Sequence, residues 1–496
     1  MNPGPSIVLV TSDQHRGDCF GFEGRPVRTP HLDFLARNGT RFSSCITPSP
    51  VCQPARASIL TGLLPATHGV RDNGIDLETE VGEAGFAGRL SAAGYRTGFI
   101  GKGHFSTVET FAPTGRPENR LSLDAFPDGW CGPYMGFDHV ELLHHYDRCL
   151  DADGHGDEKR CLARERLGPD TDAARTWYSA LPAAWHPSTW IGDRAVRFID
   201  DHAGEPFLLW VSFPDPHAPF DAPEPWSRLH DPAEVDLPLH RELDLERRPW
   251  WHRASLESTP AVPDPAMRRV RETLSRLPRQ TDAQLRHIIA QYYAMISLID
   301  HTVGRIASRL HEDGIADRTI VVFTSDHGEL LGDHGLLLKG PMLYEGLLRV
   351  GCVFFGAGIP AGQVIDEPVS TIDLAATFHD YASLACPPAT HGRSLRALIE
   401  GRDDRREFAR CEWQLGAERC GVALDLATVR TRRYKLTRER GSGNGELYDL
   451  VEDPHETAFR DGIRAHRCGA VPRLHRLPAR IFLVIPDRHG SSSAGR

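Results

Sequence analysis

Lysine is almost missing from this chain. Of 57 basic residues only four are lysines (Lys102, Lys159, Lys339 and Lys435) and the other 53 are arginines, a bias that suggests a GC-rich coding sequence. Where arginine is the default cation, each lysine marks a place where a compact, titratable ammonium does what a rigid guanidinium fork does not. Long hydrophobic runs are missing too: nothing approaches the roughly 18–20 residues of a membrane span. The N-terminal Ile7-Val8-Leu9-Val10 is too short for a signal-peptide core and has no basic segment before it. This predicts a cytoplasmic protein with no membrane partner. Eleven cysteines, an odd number without a Cys-x-x-Cys pair, make neither a disulfide framework nor a zinc knuckle. Most are read as small buried apolar residues. Basic excess is also lacking: 57 basic against 67 acidic residues leave a net charge of −10. That excludes nucleic acid as the main partner, but a few local cations still suffice for a small anionic substrate.

What is present belongs to an ordinary folded protein, 40% hydrophobic and 25% charged over 496 residues. Four segments read as buried parallel strands, each running into a polar turn. Ile7–Val10 leads to Thr11-Ser12-Asp13-Gln14, and Tyr95–Ile100 leads to Gly101-Lys102-Gly103-His104. Phe207–Phe213 leads to Pro214-Asp215-Pro216-His217, and Thr319–Phe323 leads to Thr324-Ser325-Asp326-His327. Between them, Pro30–Arg37 predicts a short helix. Leu285, Ile289, Tyr292, Ile296, Ile299, Val303, Ile306 and Leu310 form one apolar stripe from about Asp282 to Leu310, which predicts a surface helix packed on the sheet and capped by Thr281 or Asp282. Strand–helix alternation implies an open α/β sheet with helices on both faces, whose ligands lie beyond the carboxyl ends of the strands. All four of those ends carry ionisable residues.

Two stretches, about 142–190 and 224–279, read as polar insertions that border a site or decorate the surface. Residues 405–450 read as short antiparallel strands, Val429–Leu436 and Glu446–Leu450 among them, in a small C-terminal subdomain. The expected organisation is a catalytic α/β domain over 1–385, that subdomain over 386–458, and an atypical arginine- and proline-rich tail over 459–496, partly disordered at its end.

The densest chemistry is Cys52-Gln-Pro54-Ala-Arg56-Ala-Ser-Ile-Leu-Thr61-Gly62. Pro54 suits a first helical turn and Gly62 a stop, so Cys52 falls at a helix N-terminus, where free N–H groups favour anions and lower a thiol pKa. A buried cysteine at a strand–helix junction is the plain structural alternative. A phosphatase-type loop is excluded, because three residues between Cys52 and Arg56, one of them proline, are too few to wrap a phosphate.

These residues resemble the Cys-x-Pro-x-Arg signature of the type I sulfatases. The likeness extends to Asp13-Gln14-His15-Arg16-Gly17-Asp18, Thr29–Asp33, Gly101–His104, Pro214–His217, Ser325–Gly340 and Glu446–Pro454, seven matches in family order over roughly 450 residues. The resemblance implies an alkaline-phosphatase-like sandwich: a large, mostly parallel mixed sheet flanked by helices, plus a small C-terminal antiparallel sheet. It also implies a sulfate monoester hydrolase in which a separate formylglycine-generating enzyme oxidises Cys52 to Cα-formylglycine. One hydroxyl of the hydrated aldehyde attacks sulfur and the other expels sulfate. By the same resemblance, Asp326 helps deprotonate the nucleophile and Arg56 holds it. Lys102 bridges it to the sulfate and His104 assists the release, while His217 and Lys339 bind the sulfate and protonate the leaving oxygen. Asn73, before Gly74, is either a substrate-binding residue or a turn residue.

The metal set implied is Asp13, Gln14, Asp326 and His327, with residue 52 as a further ligand. Carboxylates and an amide favour calcium, whereas an imidazole brings manganese into play. Glutamine at 14 and histidine at 327 resemble the choline sulfatase and phosphonate monoester hydrolase branch, which makes phosphonate monoester or phosphodiester hydrolysis the alternative chemistry. That branch carries hydroxyl residues where this chain has Lys102 and His104, which favours sulfate. A catalytically silent homologue with unmodified Cys52 is the non-enzymatic alternative, and homo-oligomerisation stays open.

Overall fold

The computed structural model describes residues 4–110, 112–143, 156–275, 277–402 and 404–457. Its central sheet has eight strands: β1 (Ser6–Ser12), β2 (Thr40–Phe42), β3 (Arg96–Gly101), β4 (His139–Leu142), β5 (Phe207–Ser212), β6 (Thr319–Ser325), β7 (Cys352–Gly356) and β8 (Gln363–Ile365). In space they run β8-β2-β7-β6-β1-β5-β3-β4. The four strands expected from continuous apolar runs are the adjacent parallel strands β6, β1, β5 and β3. Side chains on both of their faces are buried, so their sequences show no in–out alternation. β7 pairs antiparallel with both β6 and β2, which makes the sheet mixed.

One apolar layer packs Leu9, Phe99 and Trp210 against α2 (Cys52–Thr61) and α5 (Asp373–Tyr381). The opposite layer packs Val10, Val211 and Phe323 against α1 (Pro30–Arg37), α3 (Pro187–His202) and α4 (Asp282–Glu312). α4 begins with a capping box between Thr281 and Gln284. The expectation that it is a surface helix needs correction, because every residue from His287 to Asp300 is buried. Phe220, Ala222 and Val235, from the chain after β5, pack on the same stretch of helix and cover the face that would otherwise meet water.

Beyond residue 405 lies a four-stranded antiparallel sheet of β9 (Ala409–Leu415), β10 (Leu424–Arg430), β11 (Tyr434–Glu439) and β12 (Gly445–Asp449). The segment Val429–Leu436, expected as one strand, is divided. Thr431 Oγ1 accepts from Tyr434 N at 2.8 Å and closes a turn, so Val429 faces Leu436 across the ladder. This sheet is fastened to the larger unit by Glu412 N donating to Pro48 O at 2.9 Å and by Trp413 Nε1 donating to Asp72 Oδ1 at 3.1 Å. In the first insertion, residues 144–155 lie outside the described residues, as does the 459–496 tail. The second insertion contributes helices Trp250–Glu257 and Pro265–Ser275 and buries Trp251. Six of the nine described cysteines are buried, while Cys131, Cys161 and Cys386 are exposed. Among the described residues no helix is long and apolar enough to cross a membrane.

Register is what places the strand ends. Ser12 lies opposite Ser325, and Ser212 lies opposite both Thr11 and Gly101. The four turns that follow therefore gather at one rim of the sheet. Gly101 holds φ at +112°, and a Cβ there would overlap the Ser212 carbonyl that accepts from Lys102 N at 2.9 Å. Gly101→Ala is expected to cost about 2–3 kcal/mol of stability in thermal or denaturant unfolding. Gly94→Ala, also at positive φ but beside open space, should lose only about 1 kcal/mol.

Candidate active site

α2 starts at Cys52 and stops at Gly62, whose φ of +71° ends the helix in the left-handed region. All ten of its residues are buried, so the Cys52 side chain is held in one place. Its Sγ lies 3.1 Å from His327 Nε2, 3.2 Å from Lys339 Nζ and 3.5 Å from Asp13 Oδ1. Burial and Asp13 push the thiol pKa up, but Lys339, Lys102 and His327 together hold it well below the usual thiol range.

Asp13 and Asp326 follow the two central strands and face each other across this sulfur. Burial would raise both carboxyls. Lys102, His217 and Arg56 keep Asp13 well below the ordinary carboxylate range, whereas Asp326 is raised, by burial and then by Asp13 itself. Arg56 reaches back from α2: Nε donates to Asp326 Oδ2 at 2.9 Å, and Nη1 to Ser212 Oγ at 2.6 Å and Lys102 O at 2.7 Å. Its buried Nη2 has no protein partner. Lys102 Nζ forms an ion pair with Asp13 Oδ2.

Metal-ligand atoms of Asp13, Cys52, Asp326 and His327 lie within 4.8 Å of one another, and all four residues are buried. His327 Nδ1 is 2.8 Å from Gly328 O, so that nitrogen carries the proton of the hydrogen bond and Nε2 is turned to the cluster. Gln14, at φ +67°, buries its side-chain oxygen without a hydrogen-bond partner, while its amide nitrogen donates to Glu329 Oε2. An orphaned acceptor beside two carboxylates and an imidazole nitrogen fits a divalent cation.

The remaining expected residues form a half-buried rim above this buried floor. His104, at φ +56°, stands on the turn after Lys102, and burial lowers its pKa. His217 donates Nδ1–H to Ala218 O at 2.8 Å, and burial followed by Lys339 lowers its pKa well below 6.5. Lys339 Nζ lies 3.4 Å from His327 Nε2. Asn73 stands slightly apart: its Oδ1 accepts from Gln53 N at 2.9 Å, so it caps a free amide of α2 next to Cys52.

Three further residues, none of them expected from the sequence to have a role, shape the site. Glu329 Oε1 accepts from Leu331 N and Leu338 N, so one carboxylate joins Gln14 to the segment carrying Lys339. Glu118, raised to about 7 by burial, accepts from Phe105 N and Ser106 N at 2.9 and 3.2 Å and from Tyr134 OH at 2.9 Å, fixing the turn of His104. Ser212 joins Arg56 to the Lys102 carbonyl. Glu329 was visible inside the Asp326 motif, but the positioning by Glu118 and Ser212 depends on contacts with residues distant in the chain that no local pattern reveals.

The sulfatase family model matches residues 5–384. The chain belongs to the sulfatase family. The model for the C-terminal part of N-sulphoglucosamine sulphohydrolase matches residues 332–462. Among curated relatives, an arylsulfatase of Clostridium perfringens is 29% identical over 91% of this chain and 89% of its own. A choline-sulfatase of Rhizobium meliloti is 27% identical over 93% and 86%. The crystal structure of the phosphonate monoester hydrolase of Agrobacterium radiobacter superimposes with a TM-score of 0.74 at 26% identity, covering 92% of this chain and 91% of that one. The fold is thus that of the alkaline-phosphatase-like sulfatases, and the chain is a sulfuric ester hydrolase. Members of the family generally carry a divalent metal and formylglycine, and the buried Asp, Cys, Asp and His cluster suits such a metal.

A strong chelator should therefore lower the melting temperature, and calcium or manganese should restore it, as read by differential scanning fluorimetry. Gln14→Ala should weaken the restoring cation by about tenfold or more in a titration followed the same way. Chelator-treated protein with an unchanged melting temperature and no cation in elemental analysis would remove the metal assignment.

Proposed function

We propose that this sulfatase hydrolyses sulfate monoesters of small molecules at residue 52, after a formylglycine-generating enzyme has converted Cys52 to formylglycine. The observation that carries the reading is the convergence on one buried Cys52 Sγ of His327, Asp13 and Lys339, with Lys102 and Arg56 close behind. Formylglycine supplies a geminal diol as nucleophile, with a built-in route for releasing sulfate. A divalent cation, which Asp13, Gln14, Asp326, His327 and residue 52 would hold, would supply positive charge to stabilise the attacking oxygen.

This chain's own residues do the rest. Arg56 Nη2, buried and without a protein acceptor, is available to an oxygen on residue 52. Asp326, with its raised proton affinity, accepts the proton of the attacking hydroxyl. Lys102 and Lys339 offer ammonium groups on either side of residue 52, where negative charge grows as the ester bond breaks. Before substrate arrives, His217 is kept neutral by burial and by the cationic field of Lys339. An incoming sulfate cancels that field, so His217 takes up a proton from solvent on the nitrogen not bonded to Ala218 O and donates it to the leaving oxygen. His104 assists release of sulfate from residue 52, and Asn73 lines the approach. Within the chain, residues 1–385 act as the catalytic unit and 386–458 as a smaller unit buttressing the turns. The imidazole of His327 and the amide of Gln14 suit manganese as well as calcium.

Phosphonate monoester hydrolysis is the second reading, favoured by the likeness to the Agrobacterium radiobacter hydrolase and by Gln14 paired with His327. Lys102 and His104 favour sulfate. Purified, matured enzyme is expected to hydrolyse 4-nitrophenyl sulfate faster than a phenyl phosphonate ester, and the reverse order would invert the two readings. Cys52→Ala should reduce the sulfatase rate by several orders of magnitude. In mass spectrometry the peptide containing residue 52 should be about 18 Da lighter than its cysteine form. Wild-type rates in Cys52→Ala would remove the formylglycine mechanism. His327→Asn, keeping a neutral ligand, should be milder than Asp326→Asn and should shift the preferred cation from manganese towards calcium.

A further inference from the structure

Arg175 is a cation that the chemistry above leaves unused. It sits in the loop before Tyr178–Ser179, and Phe220 N donating to Arg175 O at 2.8 Å fastens its backbone. Its Nη2 donates to Ala218 O at 3.2 Å, the same oxygen that accepts from His217 Nδ1 at 2.8 Å. The guanidinium thus stands one carbonyl oxygen away from the imidazole read as holding the scissile sulfate. Among the described residues no carboxylate lies within ion-pair distance of it. Asp221 and Glu329 attract it only from further off, and partial burial is the main influence on its charge. Arg16, Arg25, Arg56 and Arg406, by contrast, each hold a carboxylate at 2.5–2.9 Å. A half-buried guanidinium without a counterion carries a desolvation cost that an anion would offset. Space for more than a phenyl ring lies close by. A cleft of about 290 Å³ is lined by Leu337, two residues from Lys339, and by Gln280, whose Oε1 accepts from Ala174 N at 2.9 Å. Arg241 and Arg279 line it too, as do Glu242 and Asp282, the last paired with Arg241 at 3.2 Å.

We propose that Arg175 binds a second anionic group, carried by the alcohol half of the ester. The inference rests on the reading that His217 and Lys339 hold the scissile sulfate. A planar guanidinium takes two oxygens of a carboxylate or of a second sulfate equally well, so the ligand is an oxyanion placed beyond the ester oxygen. A quaternary ammonium in that place would be repelled, which sets choline sulfate apart from the preferred substrates.

The test compares 3-carboxyphenyl sulfate, benzene-1,3-disulfate ester and choline sulfate with 4-nitrophenyl sulfate. Arg175→Gln is expected to lower kcat/KM for an anion-bearing ester, relative to that for 4-nitrophenyl sulfate, by about 10–100-fold, mainly through KM. Arg175→Lys should recover part of the ratio. A drop with the carboxylate ester alone or with the disulfate alone supports the proposal and identifies the oxyanion. A ratio unchanged within twofold for both, or a preference for choline sulfate that Arg175→Gln does not alter, overturns it. A purely structural role would slow all esters alike and leave the ratio fixed. Calorimetry separates this from the hydrolytic reading. On a Cys52→Ala background, adding Arg175→Gln should weaken 3-carboxyphenyl sulfate at least tenfold more than phenyl sulfate. Equal weakening overturns the role of Arg175 whatever the fate of the nucleophile, whereas absent turnover of 4-nitrophenyl sulfate by matured wild type counts against the hydrolytic reading alone.

Discussion

Two carboxylates set side by side in a dry interior repel each other, and the arrangement of this protein follows from that conflict. Ser12 and Ser325 are paired across β1 and β6, so the next residue of each strand, Asp13 and Asp326, arrives at the same place. Positive charge must be delivered there from elsewhere. Arg56 comes from α2 and Lys102 from the end of β3, and each carries a direct ion pair to one of the two carboxylates. Backbone amides of Gln14 and His327 complete the shell of Asp326 at 3.0 and 2.8 Å. The elements that supply these groups sit in the middle of the sheet or pack directly on it, where the backbone is least free to yield.

Floor and rim differ in freedom, and that division suits the chemistry. Groups next to Cys52 are enclosed and multiply bonded, as preorganised charge stabilisation requires. His104, His217, Lys339 and Asn73 are half-buried and stand on loops, where substitution and insertion are tolerated.

Much of this was legible in the chain because its cues are local. Apolar runs ending in Asp13, Lys102, His217 and Asp326 marked four central strands and their turns, and Pro54 with Gly62 bracketed α2. The limits are equally physical. Periodicity shows which face of α4 meets the sheet, but not that Phe220 and Val235 return to cover the rest. A single turn residue, Thr431, splits what composition reads as one strand. Glu118 and Ser212 act through partners 12 to 156 residues away, so neither has a spacing to betray it.

Glu329 ties together positions far apart in the chain. Its carboxylate takes a hydrogen from the Gln14 amide on one side and from the Leu338 amide, beside Lys339, on the other. The choice of residue at 14 is therefore not free. An aspartate there would present a second anion to Glu329 and lose the donor that Glu329 now satisfies. Exchanging the amide for a carboxylate makes chemical sense only with a compensating change at 329, and that change would loosen Leu338 and with it the segment carrying Lys339. In this protein one carboxylate therefore sets both the residue tolerated at 14 and the placement of Lys339.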